Sequence, residues 1–206
     1  MSKATREFYA DLYKRHGTSH RSLSFTSALT QQLRFAALLG VLPEDRGTPF
    51  SLLDVGCGFG DLYGFLGEAG YSSVDYTGLD IMPEFVSHAA ARYPECRFLA
   101  GDFLSVDMPQ GGYDCVLSSG ALNMVTEGYP DHYEFVYAMI ERMLALARRG
   151  VAFNLLSQAG KDGFWEDPRF FYCDAGRILA HCRSKVPDTE LDHGYLSYDF
   201  AIRARK

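Results

Sequence analysis

The chain has 206 residues, 47% of them hydrophobic and 22% charged, with a formal net charge of -6 and a pI near 5.5. That length suits one domain with a full hydrophobic core, and the composition excludes wholesale disorder. The acidic balance argues against broad nucleic-acid binding, whose affinity comes from clustered Lys and Arg. Basic pairs such as Arg148-Arg149 read as a solvated helix end.

The five cysteines (Cys57, Cys96, Cys115, Cys173, Cys182) are scattered, odd in number and without a CxxC pair. Neither a disulfide scaffold nor a metal site is expected. The opening MSKATREFYADLYKRHG lacks the apolar core of a signal peptide. No run approaches the roughly 20 apolar residues needed to span a bilayer. A soluble, cytoplasmic protein with no membrane partner is predicted.

In chain order, Phe8, Tyr9, Leu12 and Tyr13 recur at helical spacing until Gly17. A second helix is predicted over 27–39, with Leu29, Leu33, Ala36 and Ala37 on one side, ending at Gly40 and Pro43. The run SLLDV (51–55) reads as a strand buried on both faces. A glycine cluster and a helix over 61–69 follow. A strand at 76–79 ends at Asp80. A helix over 83–92 opens on Pro83, where a missing N–H costs nothing. Strands at 97–100 and 113–118, a helix over 132–147 and a strand at 150–156 come next. The inner face of the 132–147 helix carries Phe135, Met139, Met143 and Leu144. A helix over 174–182 can be capped by Asp174. Candidate strands at 190–193 and 197–204 flank Gly194 and read as a hairpin. Alternating strands and helices imply a three-layer α/β fold with a mostly parallel, Rossmann-like sheet. The division expected is a helical segment over 1–49 ahead of a sheet domain over 50–206, one structural unit overall.

The most informative stretch is Leu52-Leu53-Asp54-Val55-Gly56-Cys57-Gly58-Phe59-Gly60. It lies at a strand-to-helix turn, where open α/β sheets bind ligands. Gly56 and Gly58 allow a tight turn and close approach to a ligand. Asp61 stands where a dinucleotide fingerprint has its third glycine, and no Lys-Ser or Lys-Thr follows, so neither NAD nor a P-loop phosphate fits well. Asp54 would repel a phosphate but suits a ligand with a cationic amino group; it could also simply cap a turn. Asp80, at the end of the next strand, can accept from both hydroxyls of a ribose. Asp102, in Gly101-Asp102-Phe103, can accept from an adenine amino group, although Gly-Asp is also a common turn pair. Phe103 and Ile81 offer faces to the ring.

The order LLDVGCGFG, YTGLD, GDF, YDCVLSSGAL resembles the class I S-adenosylmethionine-dependent methyltransferases over roughly residues 50–206. The resemblance implies a seven-stranded sheet closed by an antiparallel hairpin strand. It implies S-adenosylmethionine as cofactor and S-adenosylhomocysteine as product. It also implies a loop of Gly56, Cys57 and Gly58 around the methionine part, with Asp54 near the amino group and Ser119 near the methionine end. Asp80 would bind the ribose, and Ile81, Asp102 and Phe103 the adenine.

Methyl transfer from a sulfonium needs alignment and exclusion of water more than covalent help, so no catalytic residue is assigned. The segment 118–123 (SSGALN) is not the (Asp/Asn)-Pro-Pro-(Tyr/Phe) of enzymes acting on exocyclic base nitrogens. A small-molecule acceptor is therefore expected rather than nucleic acid. The N-terminal helices would form a lid, with a Ser/Thr-rich link over 18–30. Arg34 could pair with the cofactor carboxylate; a surface arginine is the alternative. Tyr9, Tyr13, His16, Asn123 and Asn154 are candidate acceptor contacts, set against ordinary packing. Trp165, Phe170, Phe171 and Tyr172 could wall an acceptor pocket. His132 is expected to be exposed or capping. The competing readings are a non-catalytic binding or scaffold protein on this fold and an NAD(P)-dependent oxidoreductase.

Overall fold

The computed structural model describes residues 3–160 and 167–206. Two helices lead, α1 (Lys3–His16) and α2 (Ala28–Leu38), with a short 3-10 turn, His20–Leu23, between them. Then follow β1 (Phe50–Val55), α3 (Asp61–Glu68), β2 (Val74–Asp80), α4 (Pro83–Arg92), β3 (Arg97–Ala100) and β4 (Tyr113–Ser119). The chain continues through α5 (His132–Leu146), β5 (Ala147–Ser157), β6 (Tyr172–Cys173), α6 (Ala175–Lys185), β7 (Thr189–Asp192) and β8 (Asp199–Arg205). The sheet runs β3-β2-β1-β4-β5-β8-β7. Strands β1 to β5 pair in parallel, and β8 is antiparallel to both β5 and β7. That path holds the expected strands and hairpin; the two-residue β6, off the path beside β5, is an addition the sequence did not suggest.

The period-2 alternation of strand side chains divides the core. Leu53 and Val55 of β1 join Val116, Val151 and Ile202 beneath α5 and α6. Phe50 and Leu52 point the other way, joining Leu117, Ala152 and Ala201 beneath α2 and α3. Helix starts follow capping chemistry. Ser27 Oγ accepts from Thr30 N–H in a capping box, Asp131 accepts from Tyr133 N–H, and Asp174 accepts from Gly176 and Arg177.

Three expectations shift. Strand β5 begins at Ala147, so Arg148-Arg149 lies in a strand and not at a helix end. There Arg148 reaches Asp114 at 3.1 Å. The hairpin strands begin and end a residue or two away from their expected limits. The buried face of α2 carries Gln31, Arg34, Phe35, Ala37 and Leu38, whereas Leu29 is 63% exposed. Of the four residues expected on one side, Ala37 is buried and Leu29 is not, because the buried face mixes Phe35, Ala37 and Leu38 with the polar Gln31 and Arg34.

Arg34 is anchored by the last strand. Arg34 Nη2 lies 2.6 Å from Asp199 Oδ2, and Tyr195 donates to the other carboxylate oxygen. Asn154 Nδ2 donates to the Arg34 carbonyl at 3.0 Å. Breaking a buried pair leaves an uncompensated charge. Asp199→Ala should therefore lower stability by about 3–5 kcal/mol in urea unfolding; a loss below about 1 kcal/mol would mean that the pair does not anchor α2.

Candidate active site

The C-terminal ends of β1, β2, β3 and β4 converge on one cavity of about 420 Å³. Its floor holds Val55, Gly56, Asp80, Ile81, Asp102, Phe103, Ser119 and Gly120. Its roof is built from the N-terminal segment, through Tyr9, the run Leu23 to Thr26, Thr30 and Arg34. A volume of this order matches small-molecule sites.

The glycine loop is shaped from both sides. Gly56 has φ +78°, and a Cβ there would lie 2.4 Å from Ala121 Cβ. Gly58 has φ +54°, and a Cβ would meet Leu23 of the roof at 2.8 Å. The N-terminal turn therefore rests directly on the loop. Gly58 is pressed by the roof and is not among the residues lining the cavity. Cys57 also departs from expectation. Its thiol packs below the loop, with Sγ 2.8 Å from the place a Cβ on Gly78 would occupy. Burial pushes that thiol well up, so it stays protonated.

Asp80 is 8% exposed and lines the cavity. Its two oxygens accept from Gly58 N–H and Met82 N–H, each at 2.9 Å. Burial raises its pKa, and the backbone amides of Met82, Gly58 and Ile81 oppose that rise. Asp102 accepts from Leu104 N–H at 3.0 Å at the head of the next turn. Ser119 Oγ is buried without a hydrogen-bond partner among the described residues.

Asp54 does not line the cavity. It is 2% exposed, and Tyr76 donates to it at 2.5 Å. Its carboxylate is turned toward Tyr76 of β2, on the sheet face that carries Leu52. Burial pushes its pKa up to about 7, against the lowering effect of the Tyr76 hydrogen bond.

The candidates in the N-terminal segment separate. Tyr9 lines the cavity, and burial, reinforced by Asp80, raises its phenol pKa. Tyr13 instead packs on Phe59 and Phe85 and is hydrogen-bonded to His88. His16 is exposed at the end of α1, away from the cavity, because the helix turns it to solvent. Arg34 is no surface arginine: it lines the cavity while paired with Asp199.

Asn123 lines the cavity, but Asn154 serves as a bolt between β5 and α2 and does not. Phe170 and Tyr172 line the wall; Phe171 packs on His132 and Tyr133, and Trp165 lies outside the described residues. His132 is wedged between Phe135 and Phe171, with Asp131 as the cap. Sequence reasoning missed Leu23, Phe25, Thr26, Phe135 and Met139 as lining residues. Phe25, between polar neighbours in the Ser/Thr-rich link, was the available hint.

A family model described as a methyltransferase domain matches residues 52–145. Rv1506c of Mycobacterium tuberculosis, named as a methyltransferase with no acceptor stated, is 32% identical over 160 residues, covering 77% of this chain and 94% of the relative. The chain belongs to the class I S-adenosylmethionine-dependent methyltransferases. Solved structures share the fold of this methyltransferase at lower identity. Magnesium protoporphyrin IX methyltransferase from Synechocystis PCC 6803, with bound S-adenosylhomocysteine, superposes with a TM-score of 0.66 at 19% identity, over 98% of each chain. The 1,6-didemethyltoxoflavin-N1-methyltransferase of Burkholderia thailandensis gives 0.66 at 20% identity, over 98% of this chain and 87% of that one. Among the described residues no helix of the methyltransferase is long and apolar enough to cross a membrane. Nor do any of them form a group of His, Cys, Asp or Glu that could hold a metal ion.

The raised Asp54 has a consequence for stability. Its folded pKa exceeds the unfolded value, so the native state retains a proton that the unfolded chain has released. Asp54 therefore adds stability below its unfolded pKa, and that contribution is lost as pH rises from 3.8 to about 7. Asp54→Asn keeps an acceptor for Tyr76 and cannot ionise. Relative to the variant, the parent should lose up to about 1.4 kcal/mol per pH unit across that window in urea titrations. Parallel stability curves would show that Asp54 is ionised in the fold.

Proposed function

We propose that this methyltransferase binds S-adenosylmethionine across the ends of β1 to β4 and transfers its methyl group to a small molecule enclosed beneath the N-terminal segment. The observation that carries the reading is Asp80: a buried carboxylate, fixed by two backbone amides and facing a cavity of small-molecule size.

The residues present fit the cofactor. A ribose diol offers two hydroxyl donors, and the remaining lone pairs of Asp80 can take both. Ile81 and Phe103 supply apolar faces for an adenine, with Asp102 at its edge. Gly56 keeps the loop backbone clear for the methionine part, and the unpartnered Ser119 hydroxyl is available at that end. Arg34 approaches Gly120, its Nη1 lying 3.5 Å from the position of a Cβ there. With one edge held by Asp199, it can offer another edge to the cofactor carboxylate. Cys57 and Gly58 contribute through the shape of the loop, and Asp54 through its packing against Tyr76.

The cofactor supplies a methyl already activated by a sulfonium. What remains for the chain is to align an acceptor lone pair with the carbon–sulfur axis and to exclude water. The roof is suited to both, since Leu23 sits on the glycine loop and Tyr9 packs edge-on against Phe85. In this reading residues 1–49 act as a lid over the sheet domain. The small-molecule preference draws support from the size of the cavity, the net acidic charge and the two small-molecule methyltransferases among its structural relatives.

Asp80→Ala should weaken S-adenosylhomocysteine binding by about a hundredfold, the loss of two charge-assisted hydrogen bonds. Circular dichroism should show an intact fold. Near-native affinity in a folded Asp80→Ala protein would remove the ribose assignment. Gly58→Val should also weaken binding, by displacing Leu23 and the roof; unchanged affinity would mean that the roof plays no part in holding the cofactor.

A further inference from the structure

Beyond the cofactor-sized floor, the cavity has a second wall toward β5. Leu156 of β5 sits at its centre, paired in register with Tyr172 on one side and with Asp199, just after Tyr198, on the other. Tyr172, Tyr198 and Phe170 all line the cavity there. Phe170 is held edge-on by Phe8 of α1 and bridged to Met124. Tyr172 on β6 and Phe170 at its bridge hold their rings at fixed backbone positions, and Tyr198 stands in the turn before β8; rings so placed suit a planar π-system.

One polar group interrupts this aromatic wall. Asn123 is 3% exposed, and its Oδ1 accepts from Leu156 N–H at 3.0 Å. That bond fixes the amide orientation, because only the oxygen can accept from a backbone N–H. The Nδ2 group lies 3.9 Å from the position a Cβ on Gly120 would take, beside the cavity that both residues line. Asn123 thus offers the cavity donors only. A donor edge on the cavity wall favours a ligand that brings an acceptor atom to it.

We infer that the methyl acceptor is a planar aromatic or heteroaromatic compound whose edge carries a hydrogen-bond acceptor, a ring nitrogen or a ring-attached oxygen, read by Asn123 and clasped by Phe170, Tyr172 and Tyr198. The inference rests on the methyltransferase site proposed above and specifies its acceptor. It disfavours flexible aliphatic acids, which gain little from fixed ring faces.

The test uses the full chain saturated with S-adenosylhomocysteine, whose own binding is measured first by calorimetry. Three probes are then titrated: a quinolone with a ring carbonyl, its ring-saturated counterpart, and naphthalene, which is planar without an acceptor edge. The quinolone should bind at least about tenfold more tightly than either control. Asn123→Asp keeps the bond to Leu156 N–H but replaces the donor edge by an acceptor. It should abolish the quinolone preference over naphthalene, with quinolone affinity compared at saturating S-adenosylhomocysteine for each variant. Phe170→Ala, a milder change to the wall, should reduce quinolone binding alone. Equal binding of the saturated ketone, or no quinolone binding by protein that holds S-adenosylhomocysteine, would overturn the inference while leaving the cofactor site standing. Failure to bind S-adenosylhomocysteine would instead remove the proposed site itself.

Discussion

The Asp80 carboxylate ties two backbone segments to one strand end. One oxygen takes the amide of Gly58, the other that of Met82. The first bond holds the glycine loop across the end of β2; the second sets the direction in which α4 leaves the sheet. Because the group is buried, leaving either oxygen unmatched would carry a large desolvation cost. The loop, the start of α4 and the cavity floor are thereby fixed relative to one another. Gly56 completes the constraint from the other side, since only a residue without Cβ can pass Ala121.

A second anchor lies on the opposite edge of the cavity. Strand β8 grips α2 through Asp199 on Arg34 and Arg203 on the Ala37 carbonyl, and the turn after α2 through Arg205 on the Gly40 carbonyl. By contrast, α1 and the turn after it meet the body through apolar contacts of Tyr9, Tyr13 and Leu23 with Phe59, Phe85, Ile81 and Met82. The roof is thus bolted by buried charge at one end and held by packing and the Tyr13–His88 hydrogen bond at the other. Ser24, which follows the turn and lines the cavity, has φ +62°, the one non-glycine residue with positive φ among those described. That conformation costs energy outside glycine, and the contacts around it must hold it there.

Much of this was legible in the sequence. Strand ends carry chemistry in an open α/β sheet, so Asp80, Gly56 and the Gly101-Asp102-Phe103 turn could be placed on the cavity from spacing alone. The hairpin order at the C-terminus followed from alternation around Gly194. What spacing could not give was side-chain direction. Asp54 stands at the right strand end but points along the pleat to Tyr76. Asn154, inside an apolar strand, needed a partner and found it in the Arg34 carbonyl, not in the cavity. The burial of Arg34 on α2 was not legible because it is neutralised by Asp199, far along the chain, and a local apolar pattern carries no trace of that pairing. His16 failed for the same reason in reverse: helical phase left it facing solvent.

The central claim is that the cavity beneath the N-terminal segment is an S-adenosylmethionine site organised by Asp80. Calorimetric titration of the purified protein with S-adenosylmethionine, S-adenosylhomocysteine and NAD tests it most directly. Both sulfur ligands should bind in the micromolar range, about -8 kcal/mol, and NAD should not bind. Binding of NAD in preference to the sulfur ligands, or no binding of any of the three, would contradict the claim.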